Sequence, residues 1–221
     1  MPTMRPLWVA YPDDPRTWDM EKQFLAGGDL LVVPVTSQGA TSVAVYFPGA
    51  APWYDVADGT AYKGATDATV AAPIEKIPVF QRGGSIVPRQ MRLRRSSAQM
   101  THDPFTLVIA PDAAGSAAGR LYLDPGDGYG YRKGQYAYQK YALAGGVLSS
   151  TSLHASAEYV PTNRLERVEL LGPAPPGVTG ATLTHNGATR TLDVRYATET
   201  GRLIVRMPDV PMADSWTITL G

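Results

Sequence analysis

From residue 30 onward, apolar side chains fall on every second position in short runs separated by turn residues. In Ser42-Val43-Ala44-Val45-Tyr46-Phe47 the residues Val43, Val45 and Phe47 share one side, and Pro48-Gly49 ends the run. Leu30-Leu31-Val32-Val33-Pro34-Val35 is almost continuously apolar, as a strand covered on both faces would be. Trp53-Tyr54-Asp55, Ile77-Pro78-Val79-Phe80 and Ser85-Ile86-Val87-Pro88 follow, then runs at 105–109 and 119–123. The segments 136–143 and 147–154 predict a hairpin closed at Gly145-Gly146. Alternation is clearest in the last third. Leu192, Val194 and Tyr196 oppose Thr191, Asp193 and Arg195; Leu203, Val205 and Met207 share a face, and so do Trp216, Ile218 and Leu220. A spacing of roughly 8–12 residues is that of a β-sandwich or small barrel.

The first thirty residues differ. Leu7-Trp8-Val9 reads as a short buried strand, and Pro12-Asp13-Asp14-Pro15 as a helix entry with Asp14 at the N-cap and Pro15 at the first helical position. The predicted helix runs to about Ala26, with Trp18, Phe24 and Leu25 on its apolar side, and Gly27-Gly28 stops it. Nothing local pairs with the strand, so this unit has the character of a torn edge. The stretch 89–101, with Arg92, Arg94 and Arg95, reads as a linker into a second β unit.

Composition adds limits. The chain has 221 residues, 44% hydrophobic and 18% charged, with 20 basic and 20 acidic side chains and zero formal charge. No general attraction to nucleic acid or anionic membrane is expected. Cys is absent, so neither disulfides nor thiolate metal sites are available. No apolar run reaches the roughly 18 residues of a membrane span, and Met1-Pro2-Thr3-Met4-Arg5 has no signal-peptide h-region.

Candidate chemistry is sparse. His102, His154 and His185 lie far apart in sequence and do not form a set of several ligands, so no metal and no cofactor is expected. Asp124-Pro125-Gly126 reads as a turn, not a phosphate loop, because strand rather than helix follows it. Tyr122, Tyr129, Tyr131, Tyr136, Tyr138 and Tyr141 are the densest aromatic cluster; cross-strand packing and contact with sugar rings both use such residues. Of these, Tyr129, Tyr131, Tyr136 and Tyr138 are the candidate carbohydrate contacts. Arg82, Arg89, Arg92, Arg94 and Arg95 lie in a stretch, 76–102, without an acidic residue. Aromatics interleaved for base stacking are missing there, so a patch neutralised by acids from elsewhere is expected. No G-x-S-x-G elbow is present.

Several segments carry a resemblance. Met4-Arg5-Pro6-Leu7-Trp8, Asp13-Asp14, Gln23-Phe24-Leu25-Ala26-Gly27 and Leu30-Leu31-Val32-Val33-Pro34-Val35 follow one another in an order that resembles the family 31 glycoside hydrolases. Trp53-Tyr54-Asp55 with Gly59, and the run from Ile77 to Pro88, resemble the proximal C-terminal domain of that family. Arg92-Leu93-Arg94-Arg95-Ser96-Ser97 and Asp103-Pro104-Phe105 look most like the glucosidase II group within it. Gly119-Arg120-Leu121-Tyr122-Leu123-Asp124 and Leu165-Glu166-Arg167-Val168-Glu169-Leu170-Leu171-Gly172 resemble the distal domain. Pro125 stands where the family usually has a second aspartate.

The resemblance implies a mainly β fold. Residues 1–29 are then the last strand–helix unit of a (β/α)8 catalytic barrel, 30–100 a proximal C-terminal β-sandwich and 101–221 a distal one. It implies a retaining α-glucosidase parent that removes terminal α-linked glucose from N-glycans in the endoplasmic reticulum lumen, beside a regulatory β subunit. The two catalytic aspartates of that mechanism belong to earlier barrel strands, so no catalytic residue is expected in this chain and it is expected to be inactive alone. Its principal partner is then the missing barrel, with neither nucleic acid nor membrane expected. The loop at 11–14 would lie nearest the active site. A stand-alone carbohydrate-binding module on the tyrosine cluster is the alternative. An orphaned barrel edge is further expected to expose Leu7, Trp8 and Val9 and to depress solubility.

Overall fold

The structure, a computed structural model, describes residues 2–173 and 175–221. The first half of the chain forms eight short strands: β1 (Met4–Arg5), β2 (Phe24–Ala26), β3 (Leu30–Val32), β4 (Ser42–Phe47), β5 (Trp53–Asp55), β6 (Ala61–Tyr62), β7 (Thr66–Ala71) and β8 (Val79–Arg82). Six of them make an antiparallel sheet in the order β1-β2-β3-β8-β5-β6, and β4 pairs with β7 as a separate ribbon. Leu25, Leu31, Phe47, Trp53 and Phe80 are buried between sheet and ribbon. Phe80 meets Phe47 edge-on with ring centroids 4.9 Å apart, and Tyr62 stacks on Phe47 at 4.7 Å.

The strand–helix unit expected at the start does not form. Pro6 follows β1, and Leu7–Ala10 is a single helical turn whose Leu7 is buried in this core rather than exposed. Of the helix expected to reach Ala26, only a 3-10 turn, Pro15–Thr17, exists. Asp14 does cap it, accepting the Arg16 amide at 3.1 Å. Phe24–Ala26 is instead extended because Leu25, on β2, pairs with Leu31 across the β2–β3 ladder and fills the core. A tertiary partner outweighs the weak local helical preference.

The second half contributes β9 (Ser85–Arg89), β10 (Phe105–Ala110), β11 (Ala117–Leu123), β12 (Ala137–Ala144), β13 (Val147–His154), β14 (Arg164–Leu171), β15 (Ala181–His185), β16 (Ala188–Leu192), β17 (Val194–Ala197), β18 (Arg202–Pro211) and β19 (Trp216–Leu220). They form one hydrogen-bonded sheet, ordered β16-β15-β19-β13-β12-β11-β9-β10-β14-β18-β17. Its two end strands are consecutive in the chain. Asp193 alone separates β16, which pairs with β15, from β17, which pairs with β18, and its carbonyl accepts the Arg206 amide at 2.9 Å. The sheet therefore rolls until its edges nearly meet, which leaves few unpaired edge groups. Leu107, Leu165, Val168, Leu203 and Val205 of one half pack inside against Tyr141, Leu148, Leu183, Trp216 and Ile218 of the other. What reads as two facing layers in the sequence is thus one sheet folded on itself.

Other expectations fare unevenly. The β12–β13 hairpin closes at Gly145 and Gly146, both at positive φ (56° and 78°), as a two-residue primed turn requires. The shared face of Leu192, Val194 and Tyr196 is broken at the Asp193 bend, so Leu192 is buried and Tyr196 exposed. Met207 leaves the Leu203–Val205 face because a register shift opposite 165–167 turns it outward at φ 50°. Among the described residues, no helix is long and apolar enough to cross a membrane.

The rolled sheet depends on a close approach at Gly119. A Cβ placed there would lie 2.1 Å from the Ile86 carbonyl oxygen on the neighbouring β9. Gly119→Ala must push two backbones apart and is predicted to cost about 1–3 kcal/mol, seen as a lower thermal denaturation midpoint. An unchanged midpoint would show that the packing is looser than described.

Candidate functional site

Three assemblies of polar and aromatic side chains face solvent, and each is built differently. The first is the loop of residues 11–23, which lies across the β4–β7 ribbon. Asp14 receives the Arg16 amide on Oδ1 and the Tyr46 hydroxyl on Oδ2. The Arg16 guanidinium stacks 3.8 Å above the Tyr46 ring and pairs with Asp67 at 2.6 Å. Gln23, buried, gives its Nε2 to the Tyr46 carbonyl (2.7 Å) and accepts the Tyr46 amide on Oε1 (3.1 Å). A side-chain amide thus completes the ribbon edge as another strand would. Thr17, wholly buried, donates to the carbonyls of Tyr11 and Asp14. Burial pushes the Tyr46 phenol above its ordinary pKa, and the Asp14 carboxylate beside it acts in the same direction. Each oxygen of Asp14 thus accepts one hydrogen bond that holds the loop to the ribbon.

The second assembly holds the four sequence-predicted carbohydrate contacts on the outer ends of β11 and β12 and the loop between them. Tyr122 and Tyr138 are cross-strand neighbours, and Tyr136 lies 5.2 Å from Tyr122 and stacks on His154 at 3.9 Å. Tyr136 and Tyr138 are therefore partly spent on packing. Tyr129 and Tyr131 are exposed, 6.3 Å apart, with the Arg132 guanidinium 4.6 Å from the Tyr129 ring. Tyr141, expected with the cluster, points inward; burial drives its phenol far up, and its hydroxyl donates to the Met212 carbonyl at 3.2 Å. The Asp124 turn forms as expected, with Gly126 at φ 74° donating to Asp124 Oδ1.

The third assembly is a cleft of about 380 Å³ on the outer face of β14, β18 and β17, lined by Arg167, Glu169, Arg195, Thr200, Arg202 and Arg206. Glu169 is buried and takes Arg167 on one oxygen at 3.3 Å and Arg202 on the other at 2.8 Å. Arg202 also reaches across to the carbonyls of Val56 and Ala57 in the turn after β5. Little in the chain's local pattern marks this grouping. Its members lie on three strands that only the register brings together, and alternation marks each merely as outward-facing.

Three of the five arginines of the acid-free stretch are paired, Arg82 with Asp29 at 2.7 Å, Arg92 with Glu166 at 2.8 Å and Arg94 with Asp103 at 2.6 Å, whereas Arg89 and Arg95 have no ion pair among the described residues. The Arg94 guanidinium holds the Asp103 carboxyl below the usual range. Of the histidines, His102 contacts Thr162, His154 the Gly134 carbonyl and His185 the Asp214 carboxylate. Among the described residues no group of three or more potential metal ligands converges.

The described carboxylates at these assemblies are engaged in ion pairs and loop hydrogen bonds. Residues 1–87 match the glycosyl hydrolase family 31 C-terminal domain, and the whole chain is similar to alpha-glucosidases of that family. Within it, the resemblance is to the glucosidase II alpha subunit. Neutral alpha-glucosidase AB of Sus scrofa is 39% identical over 222 residues, covering 100% of this chain and 23% of the relative. A crystal structure of glucosidase II alpha subunit in a Glc1Man2-bound form superposes with a TM-score of 0.92 at 29% identity, over 100% of this chain and 26% of that one. The catalytic subunit of an ER glucosidase II heterodimeric complex, solved with the binding domain of its regulatory subunit, matches with a TM-score of 0.91 at 29% identity, again over 100% and 26%. The chain thus spans about a quarter of the length of the relatives it matches.

Asp14→Ala removes a cap and the acceptor of the Tyr46 hydroxyl together. It is predicted to destabilise the chain by about 1–2 kcal/mol, measured by urea denaturation. If Asp14→Ala and Asp14→Asn are both neutral, the loop is not held as described.

Proposed function

We propose that this chain is the C-terminal β portion of a retaining α-glucosidase of the glucosidase II type, and that it acts by buttressing a catalytic barrel rather than by chemistry of its own. The observation that carries this reading is the superposition of the whole chain on a quarter of a glucosidase II alpha subunit. In the complete enzyme the two catalytic carboxylates, which a retaining mechanism needs about 5–5.5 Å apart, belong to the barrel. Residues 1–29 then form the junction to that barrel, 30–100 the proximal support and 101–221 the distal one. Met4, Trp8 and Trp18, exposed at 67%, 50% and 59%, are the apolar surface it would cover.

The complete enzyme trims terminal α-linked glucose from N-glycans in the endoplasmic reticulum lumen, alongside a regulatory subunit. Within this reading Tyr129 and Tyr131 are the positions open to a sugar ring. Tyr131→Ala in the complete enzyme should weaken retention on an immobilised α-glucan while leaving hydrolysis of a small aryl α-glucoside intact. Unchanged retention would remove the two tyrosines from the substrate path.

The principal test is immunoprecipitation from cell extract with an antibody to residues 137–220, followed by an aryl α-glucosidase assay. Activity accompanying a polypeptide several times longer than 221 residues is expected, with none from the 221-residue chain alone. Hydrolysis by the short chain would overturn the reading.

A further inference from the structure

The arginine cleft on β14, β18 and β17 is hard to explain as structure alone. Arg167 and Arg206 stand directly opposite each other in the β14–β18 ladder, a like-charge cross-strand pair that weakens a sheet. Arg195, on β17, lines the same cleft, as does Arg202 on β18. Facing these four guanidinium groups is a single carboxylate, Glu169, already shared by Arg167 and Arg202. Among the described residues, neither Arg195 nor Arg206 has an ion-pair partner. The Arg202 Nε is buried without an acceptor. Burial holds Arg89 below its ordinary pKa, and the nearby Arg202 adds to the effect. In a chain with zero formal charge, four guanidinium groups around one carboxylate are a local excess of positive charge.

We infer that the cleft is an anion-binding site that takes a tetrahedral oxyanion, a phosphate or sulfate group free or carried by a small molecule or glycan. Guanidinium forks suit such a group because each can offer two parallel N–H donors to adjacent oxygens. Arg167, Arg206 and Arg195 would converge on it from three adjacent strands, with the Thr200 hydroxyl at the rim. Glu169 has a separate part: it fixes Arg202 to the loop at 56–57 and keeps the floor of the cleft rigid. A dianion would relieve the Arg167–Arg206 repulsion, so binding should stabilise the fold.

The test is titration of the complete protein with inorganic phosphate, inorganic sulfate and glucose 6-phosphate against chloride at matched ionic strength. It is followed by calorimetry and by the thermal midpoint. Saturable binding with a rise in midpoint is expected for phosphate and not for chloride. Arg206→Gln and Arg195→Gln, both on exposed side chains, should each weaken it by at least about ten-fold, the loss of one charge-assisted interaction. Arg206→Lys should recover only part of it, since the fork is lost while the charge stays. Tighter binding of glucose 6-phosphate than of free phosphate would assign the site to a phosphorylated sugar; equal binding would assign it to the free ion. The proposal fails if phosphate and chloride act alike. It also fails if Arg206→Gln lowers the midpoint without anion and leaves phosphate affinity untouched, which would make the cluster structural.

Discussion

The chain passes from one sheet to the other through Gly83 and Gly84, and the arrangement of everything else depends on that passage. β8 ends at Arg82 in the first sheet, and β9 starts at Ser85 between β11 and β10 of the second. A Cβ at Gly83 would come within 2.8 Å of Pro52, and Gly84 sits at φ 85°, so neither position accommodates a side chain without strain. Gln81, wholly buried, ties the passage shut by donating to Ser85 and to the Val108 carbonyl. Farther along the seam Tyr54 packs with Val108, Ala110 and Leu171, and its hydroxyl donates to the Pro111 carbonyl at 2.9 Å. Arg202 closes the opposite side, joining Glu169 of the second sheet to the loop after β5.

Such a seam makes two β units into one body, and that suits a support. A barrel active site needs its strands and loops held to fractions of an ångström, and a hinged appendage would transmit its own motion to them. Trp8 and Trp18 are exposed, and neither belongs to the cluster of Tyr54, Val108, Ala110 and Leu171 at the seam. Asp14, one of the two aspartates of the loop expected nearest an active site, accepts the Arg16 amide and the Tyr46 hydroxyl.

Much of this was legible in the sequence because strand alternation and glycine turns are local signals. The Gly145-Gly146 hairpin, the Asp124 turn and the Asp14 cap need no tertiary information. The helix expected from Pro15 to Ala26 failed for the complementary reason. Trp18, Phe24 and Leu25 fit a helical stripe as well as a strand, and only Leu31, across the β2–β3 ladder, decides for the strand. The single rolled sheet was hidden likewise, since its closure rests on a bend at Asp193 that interrupts an otherwise regular alternation. The arginine cleft was beyond reach. Arg167, Arg195 and Arg206 are far apart in sequence, and a one-residue change of register would scatter them.

The unity of the two sheets is tested most directly by differential scanning calorimetry of the chain. The account predicts one cooperative transition, with calorimetric and van't Hoff enthalpies equal, that shifts downward as a whole in Gln81→Ala. Two separable transitions, or a Gln81→Ala variant in which only one half melts earlier, would mean that the sheets fold independently and that the seam does not hold them.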